Sequence, residues 1–192
     1  MPTSEPVHVI AFVGSLRRAS VNALLLRCAI ARAPQGMTIE PYAIHDLPLY
    51  NGDEEDEGPP AAVVAFKSAI ATADALMVVT PEYNFGMTAV TKNALDWASR
   101  PSHPGNVLAG KPVSIMAASG GPNGNAAMAR GQVRQALVFP GALTMPNGDL
   151  GVRGGHANFG EDGSLTNQQV IDGLDTHLGA FAEWARRMGR LS

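Results

Sequence analysis

A single cysteine, Cys28, stands in 192 residues, so no internal disulfide can form and no Cys-rich metal cluster can be built. Such usage fits a reducing compartment. Long apolar runs are also missing: nothing approaches the roughly 20 consecutive apolar residues that cross a bilayer, and Met1 to Pro6 has no basic stretch ahead of an apolar one. The expectation is a soluble, unexported, cytoplasmic protein with no membrane partner. Positive charge is not in excess. A formal net charge of -3 argues against nucleic acid or anionic lipid, which attract positive surfaces, and favours a small-molecule ligand. The five histidines, His8, His45, His103, His156 and His177, show no metal-ligand spacing, so no metal is expected. Cys28, at helical spacing with Val21, Leu24 and Leu25, reads as a small apolar core residue.

The apolar fraction that is present, 45 %, fills one sizeable core, and residues 1–192 are expected to form one domain. Short apolar runs alternate with amphipathic stretches. Strands are expected at Val7 to Val13, Met37 to Ile44, Ala75 to Thr80, Pro112 to Ala118 and Ala142 to Met145. Helices follow from apolar stripes: one after Ser20, one after Pro60 through Val63, Phe66 and Ile70, one through Val90, Ala94 and Trp97. Two more pass through Ala129, Val133 and Leu137, and through Leu174, Leu178 and Phe181. The acidic run Asp53 to Glu57 reads as a solvated loop, and residues 146 to 163, with six glycines, as a long mobile one. Five strands alternating with five helices predict an α/β, doubly wound, three-layer sandwich around a parallel sheet, with ligands beyond the carboxyl ends of the strands.

Three loops at those ends carry the chemistry. Gly14 to Asn22 (GSLRRASVN) joins the first strand to a helix: free N–H groups of the first turn attract an anion, Ser15, Ser20 and Asn22 can donate, and Arg17 can neutralise charge. A terminal monophosphate suits it, although an ordinary polar turn with an N-cap has the same appearance. Neither GxxxxGK[ST] nor GxGxxG occurs, which disfavours a nucleoside triphosphate or a dinucleotide here. Pro81 to Gly86 (PEYNFG) offers the flat faces of Tyr83 and Phe85 and the amide of Asn84. A planar ring could lie there, and so could aromatics packed on the sheet rim. Ser119 to Asn125 (SGGPNGN) has three glycines in seven residues, which lets backbone approach a ligand closely. Together the loops fit a mononucleotide with a large planar ring.

The motifs GSLRRASVN, PEYN at Pro81 to Asn84, KNALDW at Lys92 to Trp97 and LPLYNGD at Leu47 to Asp53 resemble the NADPH-dependent FMN reductase family, whose members include bacterial quinone, azo-dye and chromate reductases. The resemblance implies a flavodoxin-like sheet of order 2-1-3-4-5 and bound FMN, reduced by NADPH or NADH in a ping-pong cycle that serves small acceptors: quinones, azo compounds, free flavin or metal oxyanions. It places the FMN phosphate at Ser15, Arg17, Ser20, Val21 and Asn22, the ring at Pro81, Glu82, Tyr83, Asn84 and Phe85, and the pyrimidine side at Ser119 and Gly120. It further implies a homodimer or homotetramer, with Trp97 near the subunit contact. The chain departs from the family's pattern after PEYN, with Phe85, Gly86, Thr88, Ala89 and Thr91, and has Met128 where arginine is frequent.

Overall fold

The computed structural model describes residues 6–121, 124–146 and 148–189; Pro122 and Asn123 of the glycine-rich loop lie outside them. In chain order the elements are β1 (Val7–Val13), α1 (Val21–Ala31), β2 (Met37–Tyr42), α2 (Gly52–Glu57), α3 (Ala61–Thr72), β3 (Ala75–Val79), β4 (Glu82–Tyr83), β5 (Gly86–Met87) and α4 (Ala89–Ser99). Then come β6 (Pro112–Ala118), α5 (Ala127–Val138), β7 (Leu143–Thr144), β8 (Leu150–Val152), a 3-10 turn (Gly155–Asn158) and α6 (Gln168–Gly189). The main sheet runs β2-β1-β3-β6-β7, with β8 also on β6, and all its pairings are parallel. This is the flavodoxin-like order expected from the sequence.

Alternation along the central strands decides the layers. Val9 and Ala11 of β1, with Ala75, Met77 and Val79 of β3, face a cluster that includes Leu25 of α1 and Leu178 and Phe181 of α6. Ile10 and Phe12, with Leu76 and Val78, face Phe66 of α3, Ala94 of α4 and Val133 of α5. Side chains of successive strand residues point to opposite faces, so a strand apolar at every position must be covered twice. Burying one such side chain, for example Phe66, is worth about 1.5–3 kcal/mol.

Four segments differ from the sequence expectation, one of them the aromatic loop, which forms the β4–β5 hairpin. The acidic run forms α2 instead of a loop, because Asn51 caps it by accepting from the Asp53 N–H at 3.1 Å and Asp53, Glu54 and Glu55 meet the positive end of the helix dipole. The fifth strand position is divided between β7, beside the start of β6, and β8, beside its end. The stretch 146–163 is accordingly not one open loop: it contributes β8 and the 3-10 turn. No helix among the described residues is long and apolar enough to cross a membrane.

Candidate functional site

Ser20 has extended backbone and caps α1, its hydroxyl accepting from the Ala23 N–H at 3.4 Å while its carbonyl accepts from Leu24. The N–H groups of Val21 and Asn22 are left without an acceptor among the described residues, as the first turn of any helix leaves them. No acidic residue stands in that turn. The exposed Arg17 guanidinium makes no ion pair or hydrogen bond among the described residues either. A helix start with open donors and a free cation beside it is the donor set that a phosphate monoester requires.

Beside that turn lies a cleft of about 120 Å³, lined by Ser15, Arg17, Ser20, Val21 and Asn22 from the first loop, and by Pro81, Glu82 and Tyr83 after β3. Ser119 and Gly120 after β6 close the third side. An adjoining hollow of about 410 Å³ shares Ser15, Arg17 and Tyr83 with it and continues over Thr88 and Val90. Together they form an open depression across the carboxyl ends of β1, β3 and β6, large enough in extent for a nucleotide whose phosphate sits at the helix start. The residues present fit FMN.

Ten of the twelve residues expected from the sequence line this cleft; Asn84 and Phe85 do not. They form the two-residue tip of the β4–β5 hairpin, with φ of 51° and 60°. Positive φ at both central positions is what a tight hairpin of this length demands, and it strains a phenylalanine. Phe85 is 78 % exposed. The hairpin is held from behind, where the Met87 N–H donates to Gln132 of α5 at 3.0 Å.

Two of the ten are committed elsewhere by their side chains. Asn22 clamps the end of β6: its amide donates to the Ala118 carbonyl at 2.9 Å and accepts from the Ala118 N–H at 2.8 Å. Glu82 accepts from the Ala129 N–H at 3.0 Å and so caps α5, whose own N-cap residue, Ala126, has no side chain to do it. Asn22 and Glu82 thus hold the loops in place, and what they present to the cleft is mainly backbone.

His156 lines the cleft as well and escaped the sequence reading. It is carried there by the 3-10 turn, and Gly155 allows the approach: a Cβ on that residue would lie 2.7 Å from the Gly120 α-carbon. The adjacent glycines Gly154 and Gly155, both with positive φ, were the available signal. The motifs LPLYNGD and KNALDW dock on one another. Asn93 accepts from the Tyr50 N–H at 2.8 Å and donates to the Pro48 carbonyl, and Trp97 donates to the same carbonyl at 2.9 Å. Trp97 is wholly buried inside the chain, so its side chain cannot reach a subunit contact, contrary to the expectation above. Cys28 is half-buried and burial raises its thiol pKa; His45 is exposed beside Asp46.

Fold and cleft define a flavodoxin-like nucleotide-binding protein of the α/β class. Residues 7–157 match the model of the NADPH-dependent FMN reductase family. The chain is 39 % identical over 185 residues to an NAD(P)H-dependent FMN reductase of Pseudomonas aeruginosa, covering 96 % of this chain and 98 % of that one. It is 38 % identical over 191 residues to a quinone reductase of Escherichia coli, with the same coverage. Among solved structures, the flavoenzyme NAD(P)H:acceptor oxidoreductase FerB of Paracoccus denitrificans superposes with a TM-score of 0.86 at 31 % identity, over 94 % of this chain and 98 % of that one. The chain therefore belongs to the NADPH-dependent FMN reductase family. It is an oxidoreductase, with FMN as cofactor and NAD(P)H as reductant.

Proposed function

We propose that the protein binds FMN in the cleft and uses it, in a ping-pong cycle, to carry reducing equivalents from NADPH or NADH to quinones, with azo compounds, free flavin and oxyanions such as chromate as further acceptors. The observation that carries this reading is the convergence of the open α1 start, Pro81–Tyr83 and Ser119–Gly120 on one depression. Bound FMN supplies the hydride and electron-transfer chemistry. The chain's residues bind and orient. Val21, Asn22 and Ser20 offer donors and Arg17 offers charge to the phosphate, Pro81, Glu82 and Tyr83 set the ring's surroundings, and Ser119 and Gly120 offer backbone to its pyrimidine side.

No separate dinucleotide fingerprint is present, so one open face serves nicotinamide and acceptor in turn. Such a site favours alternation over a ternary complex. The same reading treats residues 1–192 as one domain, acting in the cytoplasm on small molecules and without nucleic acid or membrane partners. The reading includes assembly into a homodimer or homotetramer, for which the exposed Leu16, Leu49 and Phe85 offer apolar surface.

Steady-state kinetics with NADPH varied at several fixed quinone concentrations test it. Parallel double-reciprocal lines are expected. Intersecting lines would exclude the ping-pong cycle, and no NAD(P)H oxidation with any acceptor would leave an FMN electron carrier between proteins as the better account.

A further inference from the structure

Three buried threonines, of which Thr88 borders the adjoining hollow and Thr80 and Thr91 lie behind it, link the two loops that build the cleft. The Thr88 hydroxyl donates to the Gly14 carbonyl at 2.7 Å, at the start of the phosphate loop, and the Thr80 hydroxyl donates to the Pro81 carbonyl at 3.1 Å, at the start of the aromatic loop. Thr91 stands between them, 2.8 Å from the Thr88 oxygen and 2.9 Å from the Thr80 oxygen. Thr80 and Thr91 are wholly buried, and Thr88 is nearly so.

The hydrogens are counted easily. Each hydroxyl has one to give. Those of Thr88 and Thr80 go to the two carbonyls, which cannot donate back, so the Thr91 hydrogen serves one threonine neighbour at a time. Thr91 is the shared centre of a network whose two ends are both carbonyls of site loops. Gly14 is packed on that centre: a Cβ there would lie 1.8 Å from the Thr91 oxygen and 3.1 Å from those of Thr80 and Thr88. No larger residue fits. Thr88 and Thr91 also belong to the N-terminus of α4, because Thr88 caps the helix by accepting from the Thr91 N–H.

We infer that Thr91, with Thr80 and Thr88, is a positioning centre that sets the mutual placement of the phosphate loop and the aromatic loop, and through it the affinity for FMN. The inference rests on the FMN site proposed above. Removing one hydroxyl from a sealed network leaves its neighbours with contacts that water cannot replace.

Fluorescence titration of the apoprotein with FMN and with riboflavin, which has the same ring and no phosphate, tests this. Thr91→Val keeps the shape and removes the hydroxyl. It is expected to weaken FMN about tenfold or more and riboflavin by a smaller factor. Thr91→Ser restores the hydroxyl and should return FMN affinity to within about threefold of wild type. Thr80→Val, a second variant, spares the Gly14 end and should weaken both flavins by the same factor. Equal FMN affinity in wild type and Thr91→Val overturns the inference. So does an equal loss of both flavins in Thr91→Val, which general loosening of the fold would produce. Wild-type protein that binds neither flavin would instead remove the FMN site itself.

Discussion

The two edges of the sheet are built differently. At one edge β2 runs beside β1 in unbroken register from Val7 opposite Met37 to Phe12 opposite Tyr42, and backbone pairing does most of the holding. At the other edge β6 is met by two residues of β7 and three of β8. The gap is bridged by side chains. Arg134 donates to Thr144, to the Met145 carbonyl and to Asp149, the last at 2.5 Å, and His177 of α6 meets Ser114 of β6 at 2.7 Å. An interrupted ladder needs such links, because its unpaired backbone groups must otherwise be satisfied by water. The β8 edge also delivers His156 to the cleft.

Asp149→Ala should show this contrast most strongly. It leaves Arg134 and the largely buried Arg130 without their carboxylate, at a cost of about 3 kcal/mol, read as a fall in the urea midpoint. Hydrogen exchange should quicken in β8 and not in β2. Equal quickening at both edges would contradict the asymmetry.

Acid should act on the same edge. Burial depresses the His177 pKa from its ordinary value to about 4, against smaller opposing effects of the Gly148 backbone and Asp149. The unfolded chain then takes up a proton more readily than the folded one between pH 6.5 and pH 4. Stability is full above about pH 6.5 and falls as pH drops through that window, with about 2 kcal/mol lost by pH 5. His177→Gln should flatten the slope; an unchanged slope would show that other groups govern it.

Gly155→Ala sharpens the link between this edge and the cleft. A Cβ 2.7 Å from the Gly120 α-carbon, at φ of 49°, should cost at least about 1 kcal/mol, the clash with backbone adding to the φ strain, and weaken FMN in a binding titration, whereas unaltered affinity would detach the turn from the site. Smallest is the effect of Glu40→Ala on the β2 edge. Its pair with His8, 2.9 Å long and exposed to water, should be worth less than about 0.5 kcal/mol by thermal melting.

The same contrast explains what could be read from residues alone. β1, β3 and β6 are apolar at nearly every position, and their loops hold local signals, an N-cap at Ser20, a strand stop at Pro81 and glycines after Ser119. These depend on near neighbours in the chain. β8 and the 3-10 turn depend on partners far away in sequence, Met116 to Ala118 and Gly120, so glycine content suggested only a loop. The loop positions of Asn22 and Glu82 were legible but not their role as clamps, since Ala118 and Ala129 enter their surroundings only through the fold. Trp97 was readable as a packing residue from its helical spacing, and its bond to Pro48 shows what it packs against.

The proposed activity depends most on FMN lying in this cleft and being reduced there by a nicotinamide nucleotide. An anaerobic visible spectrum of protein reconstituted with FMN, recorded before and after NADPH or NADH is added, measures both at once. Prompt bleaching of the bound flavin is the expected result; flavin that binds but stays oxidised with either nucleotide, or that never binds, would contradict it.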